Sequence, residues 1–137
     1  MSLMDFVGLT TNSLPLCTTE HLKCLVMAYT FYNPKVATKE LIDEVFETTN
    51  SIPKCMRIVA MAKSAQRHNM AEEIPNITIP TLLVWGLNDT ITPPIVAHEF
   101  NRLIPNSELK FIDNCSHAPM MEHPEEFNQL VETFLIS

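Results

Sequence analysis

Two short stretches hold residue types that could do chemistry. "VWGLNDTITPP", residues 84–94, carries Asp89, and "DNCSHAPMMEHPEEF", residues 113–127, carries His117. A carboxylate that accepts the Nδ1–H of an imidazole fixes its tautomer. It also stabilises the imidazolium formed when Nε2 removes a proton. An Asp and a His so arranged serve a nucleophile. Singly, each has a plainer reading: Asp89 as a turn residue bonding local N–H groups, and "CSHAP" as a surface loop. The pair carries weight only if the fold brings the two together.

The elements around them predict that it does. "IPTLLVWG" is a short apolar run bounded by proline and glycine, the pattern of a strand covered on both faces. A helix opens near Pro93-Pro94 and buries Val96, Phe100, Leu103 and Ile104. "SELKFID" is a second strand. A last helix starts at Pro124, with Glu125 and Glu126 favourably placed in its first turn. Its apolar face is Phe127, Leu130, Val131, Phe134 and Leu135. Strand, helix, strand, helix at these lengths is a βαβα unit with parallel strands. Asp89 then lies just past one strand and His117 just past the other, both at the carboxyl ends, where open α/β sheets bind ligands.

The first seventy residues read as helices. Leu22, Leu25, Val26 and Tyr29 fall at helical spacing after Thr18-Thr19. A second helix starts at Thr38 and buries Leu41, Ile42, Val45 and Phe46. A third follows Ser51, with Pro53 in its first turn and Met56, Val59, Ala60 and Lys63 along one stripe. Met1-Ser2-Leu3 ahead of Met4 reads as an expression remnant. The expected organisation is residues 1–3 as that remnant, 4–74 as a helical region and 75–137 as the βαβα unit.

Composition narrows the function classes. The 137 residues are 46% hydrophobic and 18% charged, a globular balance with room for one core. A formal charge of −7 without a basic cluster argues against nucleic acid. Neither a bilayer-spanning run nor the order of a signal peptide is present, so the expected location is the cytoplasm. Cys17, Cys24, Cys55 and Cys115 form no C-x-x-C pair, which fits reduced thiols better than zinc or a disulfide framework. His117 and His123 are six apart, not helical metal-ligand spacing. His123 more simply precedes the last helix, while His21, His68 and His98 fall on polar faces. Cys115 reads as a buried thiol, and Met120 and Met121 as apolar filling.

Residues 79–137, "IPTLLVWGLNDTITPP…IPNSELKFIDNCSHAPMMEHPEEFNQLVETFL", resemble the C-terminal end of an α/β-hydrolase. The similarity is to the branch of meta-cleavage-product hydrolases, epoxide hydrolases and haloperoxidase-like esterases. The W-G-x-x-D segment resembles that family's acid loop and points to Asp89. The C-x-H-x-P-x-x-E-x-P segment resembles its histidine loop and points to His117. Ser116 departs from the glycine usual before the His. Residues 8 to about 74 resemble the helical lid inserted before these strands.

The resemblance implies a partial α/β-hydrolase fold, a helical lid followed by the βαβα unit. Asp89 and His117 would be the acid and base of a triad. It also implies a nucleophile elbow, G-x-S-x-G, and an adjacent-glycine oxyanion loop. Gly8 and Gly86 are the only glycines, and neither stands in such a frame. The expectation is therefore a nucleophile outside these residues. The implied substrate is a small ester or an activated C–C bond beside a carbonyl, handled without metal or organic cofactor. The rival reading is a non-catalytic truncated or split-gene module. An uncovered two-stranded sheet predicts association, either of the chain with itself or with an N-terminal half.

Overall fold

The computed structural model describes residues 29–68 and 70–136. The first expected helix, around Leu22, Leu25 and Val26, falls outside them, as does His21. From Phe31 onward the chain enters a 3-10 turn at Pro34–Val36, capped by the Asn33 side chain on Lys35 N–H. Two helices follow, α1 (Lys39–Thr49) and α2 (Ile52–Arg67). Thr38 caps α1 through its side chain, and Ile42 is the residue that α1 buries most deeply. Proline at Pro53 sits in the first turn of α2, where a missing N–H costs nothing.

α2 presents a different face from the one its sequence stripe predicts. Cys55, Val59 and Ala62 are half-buried, whereas Met56 is 68% exposed and Ala60 and Lys63 are exposed. The reason is the tight α1–α2 joint. There the Cys55 side faces α1, and the Cys55 thiol donates to Thr49 O at 2.9 Å.

Beyond a 3-10 turn at Ile74–Asn76 come β1 (Thr81–Gly86), α3 (Pro94–Leu103), β2 (Ser107–Ile112), α4 (Pro119–Glu122) and α5 (Pro124–Ile136). β1 and β2 are parallel and in register from Thr81 opposite Ser107 to Gly86 opposite Ile112. The βαβα expectation therefore holds, with α4 as an unforeseen single turn before the last helix. α3 and α5 each pack on both strands. α3 buries Ala97 beside half-buried Val96, Phe100 and Leu103, and Ile104 closes its end. Trp85 and Phe100 meet with ring centroids 6.4 Å apart, tying α3 to β1.

Coverage of the strands is incomplete. Thr81 to Trp85 are half-buried rather than sealed, because among the described residues only two strands and their helices surround them. Leu135, expected inside, is 75% exposed, while Phe127, Leu130, Val131 and Phe134 face inward as expected. Met120 and Met121 are likewise exposed rather than core filling. His98 lies against the Phe111 ring at a centroid distance of 5.2 Å, a contact that its polar face did not foretell.

Candidate active site

The two loops leave the same end of the sheet and are stitched together as they do so. Leu87 N–H donates to Ile112 O and Asn88 N–H donates to Cys115 O, each at 2.9 Å. This crossing requires glycine at the end of β1. A Cβ at Gly86 would stand 1.9 Å from Ser116 O and 2.6 Å from Cys115 O, both backbone atoms with little room to yield. Past β2, Asn114 takes φ of 51°, a left-handed turn that asparagine tolerates, and the chain bends back toward the acid loop.

Asp89 is buried at the end of this crossing, its side chain only 3% exposed. Its Oδ1 accepts the N–H groups of Ile91 at 2.8 Å and Thr92 at 2.9 Å. Its Oδ2 accepts the Thr92 hydroxyl at 2.7 Å and lies 2.9 Å from Nδ1 of His117. The turn reading and the His-partner reading of Asp89 are both true, one for each oxygen. Four partners fill the acceptor capacity of a carboxylate. Burial pushes the Asp89 carboxyl upward. The hydroxyl and N–H of Thr92, then His117 and the Ile91 N–H, outweigh that push and hold it below its ordinary value.

An ionised carboxylate can only accept, so Nδ1 of His117 must carry the hydrogen and Nε2 the lone pair. The Thr92 hydroxyl hydrogen is engaged by Asp89. Its oxygen, 3.2 Å from His117 Nδ1, is therefore placed as a second acceptor for the same ring hydrogen. Thr92 is fixed in turn by the Trp85 indole, which donates to Thr92 O at 2.7 Å. The His117 side chain is 41% exposed, so the ring reaches solvent while its Nδ1 edge is held.

The histidine loop rests on the segment before Pro34. His117 N–H donates to Thr30 O at 3.1 Å, and the Ser116 hydroxyl donates to Tyr29 O at 3.3 Å. Ser116, which replaces the glycine of the resemblance, is thus buried and bonded rather than merely tolerated. Phe31, Tyr32, Pro34, Leu87, Asn88 and Thr90 line a shallow cleft beside Asp89 and Ser116. Cys115 is fully buried, and burial first, then the Glu122 charge, pushes its thiol up to about 12. A thiol so disfavoured as thiolate is no nucleophile near neutrality. His123 accepts the Phe127 N–H through its carbonyl at the start of α5, and its Nε2 lies 3.1 Å from Asn114 O.

Sequence reasoning identified Asp89 and His117, and the structure brings them into contact. It missed Thr92 and Glu122. The T-P step at Thr92-Pro93, three residues after an acidic loop residue, is the local signal for the first, since a hydroxyl there can reach back to the carboxylate. Glu122 is the fixed E of the C-x-H-x-P-x-x-E-x-P segment, but that pattern points to His117 and does not report the bonds of Glu122.

The family model describing the alpha/beta hydrolase fold matches residues 44–124, more than half of the chain. This chain belongs to the alpha/beta-hydrolase fold family. Among its relatives is a 2-hydroxy-6-oxononadienedioate/2-hydroxy-6-oxononatrienedioate hydrolase from a Pseudomonas species. That protein is 33% identical over 76% of this chain and 38% of its own length. Two solved structures are also similar. One is MGS-MChE2, an alpha/beta hydrolase enzyme from a sediment metagenome of the Mar Chica lagoon. It is 53% identical with a TM-score of 0.63, over 70% of this chain and 44% of the other. The second is a serine hydrolase involved in carbazole degradation, 28% identical with a TM-score of 0.73. That match covers 86% of this chain and 47% of the other. The chain spans less than half the length of these relatives. Among the described residues no helix is long and apolar enough to cross a membrane.

Proposed function

We propose that these residues supply the acid and base of a serine-type α/β-hydrolase triad. Asp89 orients His117, and His117 is general base toward a nucleophile carried outside these 137 residues. The supporting observation is the 2.9 Å contact of Asp89 Oδ2 with His117 Nδ1, with the carboxylate buried and the ring half-exposed. Nε2 would take the proton of a serine hydroxyl as the hydroxyl attacks a carbonyl carbon. The resulting imidazolium would be stabilised by the ionised Asp89 and would return the proton to the leaving group. Water then repeats the cycle on the acyl-enzyme. The substrate is a small ester or an activated C–C bond beside a carbonyl, with residues 4–74 as the cap that selects it. The second substrate class draws on the Pseudomonas relative, whose name specifies hydrolysis of 2-hydroxy-6-oxo dienedioates.

The edges of the two-stranded sheet, unpaired among the described residues, also support association of the chain, either with itself or with an N-terminal half that covers the strands.

The catalytic reading is tested by reading the coding region upstream for an in-frame G-x-S-x-G and expressing the protein it encodes. Turnover of p-nitrophenyl esters or of a 2-hydroxy-6-oxo dienoate is expected. His117→Ala should remove it, and Asp89→Asn should lower kcat on the order of 10⁴-fold, as in other serine triads. Retention of activity in His117→Ala would overturn the assignment. The absence of any such frame upstream would instead favour the non-catalytic module.

A further inference from the structure

We propose that Glu122 is a positioning residue for His117, clasping the histidine loop to the segment that precedes Pro34. This rests on His117 being the base described above. The Glu122 carboxylate is bonded on both sides of a long sequence gap. Oε1 accepts Ser116 N–H at 2.7 Å, and Oε2 accepts Tyr32 N–H at 2.7 Å and Asn33 N–H at 3.0 Å. The Cys115 thiol makes a weaker approach to Oε1 at 3.7 Å. Three backbone donors converging on one carboxylate form a charge-assisted set. A neutral amide in the same place would turn an N–H toward an N–H on one side.

Ser116 is the residue before His117, so fixing its N–H restricts the backbone that leads into the imidazole. The same segment accepts the His117 N–H at Thr30 O and the Ser116 hydroxyl at Tyr29 O. The histidine loop thus donates to Tyr29 O and Thr30 O, while Tyr32 and Asn33 donate to Glu122, which is anchored to both segments. Phe31 and Tyr32 also line the cleft beside Asp89. Glu122 touches neither Asp89 nor the ring. Its effect is on where His117 sits.

The test uses the 137-residue chain, with Glu122→Gln and Glu122→Asp, read by amide hydrogen exchange and by the His117 ring signals in NMR. Glu122→Gln should speed exchange of the Ser116, Tyr32 and Asn33 amides by about tenfold or more, the scale of a lost bond to a charged group. Exchange in β1 and β2 should stay within about twofold, because the sheet does not depend on this clasp. The His117 Nδ1–H signal should weaken or shift, and Glu122→Asp, which keeps the charge, should restore part of it. Unchanged exchange at the three amides would overturn the proposal. So would equal loosening of the sheet, or an Nδ1–H signal indifferent to Glu122→Gln. If Glu122→Gln does not fold, Glu122→Asp decides: its shorter reach should speed exchange of the three amides together, and a change confined to one of them would overturn the shared clasp. Failure of the catalytic reading looks different: His117→Ala would then retain turnover in the longer protein, while the response of the three amides to Glu122→Gln would be as expected.

Discussion

Asp89 and His117, 28 residues apart in sequence, meet at 2.9 Å with opposite exposures: the carboxylate side chain is 3% accessible and the imidazole 41%. Burial of the acid without burial of the base is the useful asymmetry. The carboxylate is shielded, fully bonded and ionised, whereas the ring can present Nε2 to a reacting group. The Thr92 hydroxyl completes the arrangement by bonding the oxygen that faces the imidazole.

Acid should destabilise the fold through Asp89. Its folded-state carboxyl lies below the ordinary value of 3.8, so it contributes stability that is fully present above that value. The contribution is lost as pH falls through the lowered folded-state value. Thr92→Val removes the hydroxyl bond and should cost about 1.5–3 kcal/mol near neutrality, the range for a bond to a charged group. It should also raise the acid midpoint of Asp89. Denaturant melts of wild type and Thr92→Val between neutral pH and pH 3 check this. The gap between the two proteins should narrow as pH drops below 4, and a gap that widens on acidification would reverse the sign.

Gly86→Ala should be more damaging than an exposed glycine substitution. The new methyl would collide with the Ser116 and Cys115 carbonyls, and neither can rotate away without moving the histidine loop. A cost of about 1–3 kcal/mol or more is expected from such overpacking. Loss of the Asp89–His117 contact should accompany it. The readouts are a thermal melt and the His117 ring resonances. A variant that melts like wild type with an unaltered Nδ1–H signal would contradict the close approach.

Association should be measurable on the chain as purified. Two parallel strands whose outer edges have no strand partner among the described residues are marginal alone in water. Ile95, Leu135 and Ile136 add exposed apolar surface on the helices that pack against them. Sedimentation equilibrium at micromolar concentration should show an oligomer. A sharply melting 15.6 kDa monomer would show that the open edges are tolerated.

Much of this fold was legible because local chemistry announced it. Thr38 and Pro53 mark helix starts, and Pro93-Pro94 and Pro124 mark two more. The "TLLVWG" and "SELKFI" runs read as strands, and both are. Asp89 and His117 were legible because strand ends fix where the next loop emerges. The facing side of α2 was not, because packing against α1 sets it, with the Cys55 thiol on Thr49 O and Met56 in solvent. Glu122 was not either. Its partners are backbone amides 6, 89 and 90 residues away, and such bonds leave no periodic trace in sequence.

The most direct test of the proposed triad is covalent labelling by a fluorophosphonate, applied to the 137-residue chain and to any longer protein that its coding region encodes upstream. The chain alone should remain unlabelled, since it holds neither a G-x-S-x-G frame nor an adjacent-glycine oxyanion loop. The longer protein should be labelled at one serine within such a frame, and His117→Ala should suppress that labelling. Stoichiometric labelling of a serine within the 137 residues, or labelling of the longer protein that His117→Ala leaves unchanged, would contradict the assignment of Asp89 and His117 as partners of an external nucleophile.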